Sequence, residues 1–133
     1  MAARFRRVTA PAVPEPPAGL FSNCLVAGDT IYVSGQHAGG AGGAPEGDRS
    51  MAGQTRTTLA KIKALVEAAG ASMADIVKLT VYTTDIAQRA AISEARRAFF
   101  AGDFPCSTLV EVKGLVHPEL TIEIEAVAVL RRT

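Results

Sequence analysis

Two hydrophobic periods alternate along the chain, and their order outlines a fold. "FSNCLVA" (21–27) and "TIYVSGQ" (30–36) are β-rich runs separated by Gly28 and Asp29, a hairpin signal. Over 50–69 the apolar residues move to three- and four-residue spacing. Leu59, Ile62 and Val66, with Leu65 alongside, make one helical stripe, and Gly70 follows as a stop signal. "SMAD" (72–75) resembles a one-turn helical start. It leads into "IVKLTVYTT" (76–84), where Val77, Leu79 and Val81 alternate with Lys78, Thr80 and Tyr82, predicting a strand with one buried face. Residues 88–100 return to helical spacing, with Ile92, Ala95 and Phe99 on the stripe and Arg89, Arg96 and Arg97 off it, and Gly102 ends it. Strands over 107–113 and 120–130 close the pattern.

This order predicts two β-α-β-type halves and an antiparallel or mixed sheet with both helices on one face, an α+β fold. In the last strand Ile122, Ile124, Ala126 and Ala128 share one side, and Glu123, Glu125, Val127 and Val129 share the other. Apolar residues on both sides predict that the face without helices meets another subunit.

Upstream of the hairpin, "TAPAVPEPPAG" (9–19) is too rich in proline for a helix or a central strand. Residues 1–20 are expected to form an extended arm, with a short edge strand over 4–8, on a single domain spanning 1–133. The loop "HAGGAGGAPEGD" (37–48) lacks the Lys and Ser/Thr that complete a phosphate-binding P-loop, and no helix begins directly behind it.

A net charge of +1 over 133 residues supplies no field to concentrate nucleic acid or an anionic membrane surface. Nor is there a basic stripe with interleaved aromatics, so nucleic-acid binding has little support. Arg4, Arg6 and Arg7 read as a solvated terminal cluster. With two cysteines, no apolar run of membrane-spanning length and no secretory signal, a cytoplasmic protein is expected.

Candidate chemistry is sparse. Cys106 needs a neighbouring cation to act as a nucleophile, and no His, Lys or Arg lies within several residues of it. It reads as a small, buried or half-buried residue, and Cys24 as core. His37 and His117 sit in loops without metal-ligand spacing, so no metal is expected. Glu123 and Glu125 project the same way from one strand. Two such carboxylates either share a proton, raising one pKa for acid/base work, or line a solvated face.

"VAGDTIYVSGQ", "GQTRTTLAKIKALVEAAGASMADIVKLTVYTTD", "ARRAFFAGDFPCSTLVEV" and "LTIEIEAVAV" together resemble the RidA/YjgF family, in order and spacing as well as content. The resemblance runs from about Phe21 to the C-terminus. It implies a chorismate-mutase-like α+β fold and a homotrimer with ligand sites in the clefts between subunits. It also implies a small-molecule metabolite as ligand, no cofactor, and hydrolysis of enamine or imine intermediates to keto acids and ammonia. In the best-known members an arginine after an "FPA" element holds the substrate carboxylate, and a glutamate on the last strand positions water. Carried over, the glutamate falls on Glu123, the "SGQ" element on Ser34, Gly35 and Gln36, and the proline on Pro105. The tyrosine usual near the second strand is Phe21 here, and the asparagine common on the second helix is Ser93. The arginine position falls on Ser107, and a cysteine often found two residues later is Leu109. The resemblance therefore implies a pocket with a changed ligand preference, with Ser107 and Thr108 facing the ligand. Three readings follow: a RidA-like deaminase using Glu123, a non-catalytic or chaperone-like trimer that binds a metabolite, and a ribonuclease, which the charge pattern supports least.

Overall fold

The computed structural model describes residues 4–131, in which one six-stranded sheet carries two α-helices. In chain order the elements are β1 (Arg6–Arg7), β2 (Cys24–Ala27), β3 (Thr30–Gln36), α1 (Met51–Ala68), β4 (Ile76–Thr83), α2 (Arg89–Arg97), β5 (Cys106–Glu111) and β6 (Ile122–Val129). Short 3-10 turns over Met73–Asp75 and Ile86–Gln88 lead into β4 and α2 respectively. The sheet order is β1-β2-β3-β6-β4-β5; β4 and β5 run parallel and every other pair is antiparallel. This is the mixed α+β sheet that the pattern and the resemblance led one to expect.

Local chemistry explains the element ends. Gly28 takes φ 61° at the tip of the β2–β3 hairpin, which an L-residue with a Cβ adopts poorly. Ser50 caps α1 by accepting from the Gly53 N–H at 3.1 Å. At the other end Gly70 N–H donates to Glu67 O at 3.0 Å and Ala71 N–H to Val66 O at 2.9 Å. That bonding pattern is the Schellman motif, and Gly70 supplies its left-handed residue at φ 99°.

The fully buried Ile31, Leu59, Ile62, Leu79, Ile122 and Ile124 join α1 to the sheet. Each such side chain stabilises the fold by about 1.5–3 kcal/mol through removal from water. The opposite face has no helix over it: Tyr32, Val110 and Val129 are 52%, 39% and 42% exposed. Among the described residues no helix is long and apolar enough to cross a membrane.

Three local expectations change. Val77 is exposed, because β4 carries an extra residue opposite β6 between Ile76 and Lys78. That bulge hands the core position to Ile76. The second helix ends at Arg97 rather than Phe100; Ala98 and Phe99 N–H donate three residues back, tightening the last turn so that Phe99 and Phe100 still pack on the core. The N-terminal segment is extended but not loose. Val8, Ala10 and Val13 are buried, Arg6 Nη2 donates to Ala69 O at the end of α1 at 3.0 Å, and Arg7 pairs with Glu15. Residues 1–3 of the expected arm lie outside the described residues.

Gln54, 1% exposed, ties α1 to the start of β6: Nε2 donates to the carbonyls of Arg49 and Glu119, and Oε1 accepts from Thr121 N–H. Gln54→Ala strands those three backbone groups and is expected to cost on the order of 3 kcal/mol. A urea melt should show a lower midpoint at unchanged slope; an unchanged midpoint would refute the role of Gln54.

Candidate functional site

Strand β6 sets the first group of candidate residues. Its alternation buries Ile122, Ile124, Ala126 and Ala128 and leaves Glu123 half-buried and Glu125 exposed on the helix-free face. Glu123 lies opposite Tyr82 in the register. On its other side β3 bulges between Val33 and Gln36, setting two residues, Ser34 and Gly35, against the single Glu125. The Glu123 carboxyl occupies the space a side chain at position 35 would take: a Cβ there would meet Oε2 and lie 2.8 Å from Cδ. Burial, and then the negative charge of Glu125, push the Glu123 carboxyl above the ordinary glutamate range. Glu125 in turn accepts from the Tyr82 hydroxyl at 2.9 Å, which raises the Tyr82 pKa. The two carboxylates thus differ in environment, as an acid/base residue and its neighbour must.

Phe21 and the "SGQ" element surround this group. Ser34 Oγ donates to Ser22 O at 2.5 Å, and Gln36 turns into the core, where Nε2 donates to Ser34 O at 3.1 Å. Phe21, 56% exposed, lines two cavities. One, of about 280 Å³, also takes in Gly35, His37 and Lys61. The other, of about 350 Å³, takes in Tyr32, Ser34 and Glu125. Sequence reasoning missed Lys61, whose Nζ donates to His37 O at 2.8 Å and Gly39 O at 2.9 Å and so pins the glycine-rich loop. Its lysine spacing on α1 gave no sign of a partner two dozen residues upstream. His37 is half-buried, its pKa lowered by burial and by Lys61. Among the described residues no three His, Cys, Asp or Glu side chains gather as a metal site.

The second group sits elsewhere. Ser107 and Leu109 on β5 pair with Leu79 and Val81, whose side chains face the helices, whereas Cys106 and Thr108 pair with Lys78 and Thr80 on the open face. Ser107 and Thr108 therefore leave opposite faces of the strand, at the edge of the sheet. Arg96 Nη1 donates to Ser107 Oγ at 2.7 Å. Ser93, half-buried, precedes Arg96 by three residues on α2 and so neighbours it on the helix surface. Cys106 is exposed, not buried or half-buried as expected, because it starts the edge strand on the open face beside Lys78; Cys24 is core, its thiol pushed up to about 11 by burial.

Within one chain the two groups do not meet. Glu123 aligns with Tyr82 and Ser107 with Leu79, so strand geometry puts their Cα atoms on the order of 14 Å apart, with side chains on opposite faces. A ligand of a few heavy atoms cannot bridge that span.

Known proteins frame this geometry. The Endoribonuclease L-PSP family profile matches residues 12–130. The chain is 43% identical over 84 residues to the 2-iminobutanoate/2-iminopropanoate deaminase of Escherichia coli K12, a match covering 61% of this chain and 65% of that protein. A crystal structure of a Pseudomonas aeruginosa protein of unknown function superposes with a TM-score of 0.83 at 44% identity, covering 95% of this chain and 92% of that one. Escherichia coli TdcF with bound serine superposes with a TM-score of 0.84 at 31% identity, covering 95% and 99%. With nearly its whole length matched by the family profile and its fold shared with these structures, the chain belongs to the Endoribonuclease L-PSP family, the RidA/YjgF family that its motifs resemble.

Proposed function

We propose that the chain forms a homotrimer and hydrolyses a small imine or enamine to a carbonyl compound and ammonia, in clefts where Glu123 of one copy faces Ser107 of the next. The observation that carries this reading is the half-buried Glu123 carboxyl, held over Gly35 with its pKa raised. As a carboxylate it takes a proton from water while the water oxygen adds to the imine carbon. Starting from the protonated imine, the acid so formed returns the proton to the amine nitrogen; as the C–N bond breaks and ammonia leaves, the carbinol hydroxyl gives its proton back to the Glu123 carboxylate and becomes the carbonyl. A raised pKa suits a group that must both accept and donate near neutrality. The deaminase name of the Escherichia coli relative supports the reaction class, and serine in TdcF supports a small carboxylate-bearing ligand. The apolar helix-free face and the separation of the two residue groups support assembly. Unpaired thiols at Cys24 and Cys106 suit a reducing compartment such as the cytoplasm.

One observation favours a second reading, a trimer that binds a metabolite without turning it over: Ser107 stands where the resemblance places a substrate-binding arginine. The ribonuclease reading gains no comparable support from a net charge of +1.

Light scattering on the full chain should give a trimer mass. Keto-acid release from freshly generated 2-iminobutanoate should exceed that of a protein-free control, and Glu123→Gln should lower kcat/KM about 100-fold or more. Native protein no faster than the control would leave the binding reading in its place. Gly35→Ala should keep the thermal midpoint within a few degrees yet lose most activity, because the flexible carboxyl rather than the backbone has to move. Activity retained in Gly35→Ala would show that the Glu123 position is not needed.

The pH profile carries a sign. Glu123 works as the carboxylate, so kcat/KM should fall as pH drops through its folded-state pKa, and that limb should lie above the ordinary glutamate value. Glu125→Gln removes a charge that raises this pKa, so the limb should move to lower pH. An unmoved limb would exclude Glu123 as its source.

A further inference from the structure

Among the described residues Arg96 is the one arginine that is not exposed to solvent. Arg7, Arg49, Arg56, Arg97 and Arg131 all pair with a carboxylate, and all are exposed. Arg96 pairs with none. Among the described residues its single hydrogen-bond partner is Ser107 Oγ, reached by Nη1 at 2.7 Å. Its position in the last turn of α2 suits a cation, but Arg97, exposed and paired with Glu94, serves the helix end equally. Helix-end electrostatics therefore gives no reason to bury Arg96.

The hydrogen bond leaves a defined vacancy in donors. With Nη1 on Ser107, the Nε and Nη2 edge of the guanidinium has no acceptor among the described residues, and that edge is the one that forks onto two carboxylate oxygens. Ser107 accepts from Arg96, so its hydroxyl hydrogen remains free to donate to an oxygen placed beside the guanidinium. Burial has already removed part of the water from Arg96, which strengthens its attraction for an anion.

We propose that Arg96, steadied by Ser107, binds the carboxylate of the ligand, so that α2 supplies the cation that β5 lacks. This deepens the deaminase reading by assigning the substrate as a small carboxylic acid imine whose acid group lies on α2 of one copy and whose reacting carbon lies at Glu123 of another. Ser93, one turn back on the same side of α2, borders the position and shapes what lies next to the carboxylate.

The test uses calorimetric titration of the full chain with 2-oxobutanoate, the hydrolysis product of 2-iminobutanoate, and with its uncharged twin 2-oxobutanamide. Arg96→Gln should weaken 2-oxobutanoate binding by about 30-fold or more while leaving the amide unaffected. Arg96→Lys should restore part of the loss, because a point charge attracts the carboxylate but cannot fork onto it. Arg97→Gln, changing an exposed neighbour on the same turn, should match the native protein. If Arg96→Gln binds the keto acid as the native chain does, or if the native chain binds no carboxylate, the assignment is overturned. Imine hydrolysis measured on the same variants separates the two readings. Carboxylate binding lost with Arg96 in a protein that hydrolyses nothing keeps the site and removes the reaction. Hydrolysis unchanged in Arg96→Gln keeps the reaction and removes the site.

Discussion

Successive side chains of β6 leave opposite faces of the sheet, and that period of two ties the core to the chemistry. Ile122, Ile124, Ala126 and Ala128 can bury against α1 only if Glu123, Glu125, Val127 and Val129 face the other way. A slip of one residue would drive two carboxylates into the core, at a cost far beyond any packing gain, so the register is strongly specified. The strands on either side of β6 each carry a bulge against it, in β3 between Val33 and Gln36 and in β4 between Ile76 and Lys78. The β3 bulge has a local use: it sets side-chain-free Gly35 beside the Glu123 carboxyl. Moving the bulge would place a side chain there and deny Glu123 its partly desolvated seat.

Two half-buried charges of opposite sign, those of Glu123 and Arg96, have no opposite charge paired with them among the described residues. Glu123 has Glu125 as its charged neighbour, which raises its energy, and Arg96 has the neutral Ser107. Each costs the isolated subunit desolvation that a salt bridge would offset. Their separation across the sheet prevents them from neutralising each other. Costs of this kind concentrate where a fold gives up local stability for a site. In the proposed cleft they are brought together by a second copy, with the ligand between them.

How far the sequence revealed this depends on whether the deciding contact is local. The bounds of α1 were legible to a residue, because Ser50 and Gly70 act on their own helix ends. The two-sided character of β6 was legible from alternation alone, and so was the pairing of Glu123 with Glu125 on one face. Val77 was not, because a single inserted residue inverts the alternation and leaves no compositional mark. Val8, Ala10 and Val13 are buried without any periodicity, since an extended segment buries whichever residues its path brings to the core. Gly35 was named from the resemblance, but its reason is steric and belongs to a residue on another strand. Arg96 falls off the apolar stripe of α2, so periodicity gives no sign of its partner; Ser107 is brought beside it by the parallel β4–β5 pairing, which no local pattern encodes.

That last contact changes what the serine at position 107 means. Taken from sequence alone, Ser107 is a lost charge, and a lost charge points away from carboxylate ligands. In the fold it is the acceptor that fixes the guanidinium of a different element. A cation on β5 would approach the ligand from the strand, along a rigid backbone. One on α2 approaches from the helix side, at the end of a long side chain, with a hydroxyl setting its angle. The two arrangements offer the same charge from different directions, so they favour carboxylic acids of different shape. With Arg96 holding the ligand as proposed, position 107 bears less on whether an acid is bound than on which acids fit between α2 and Glu123.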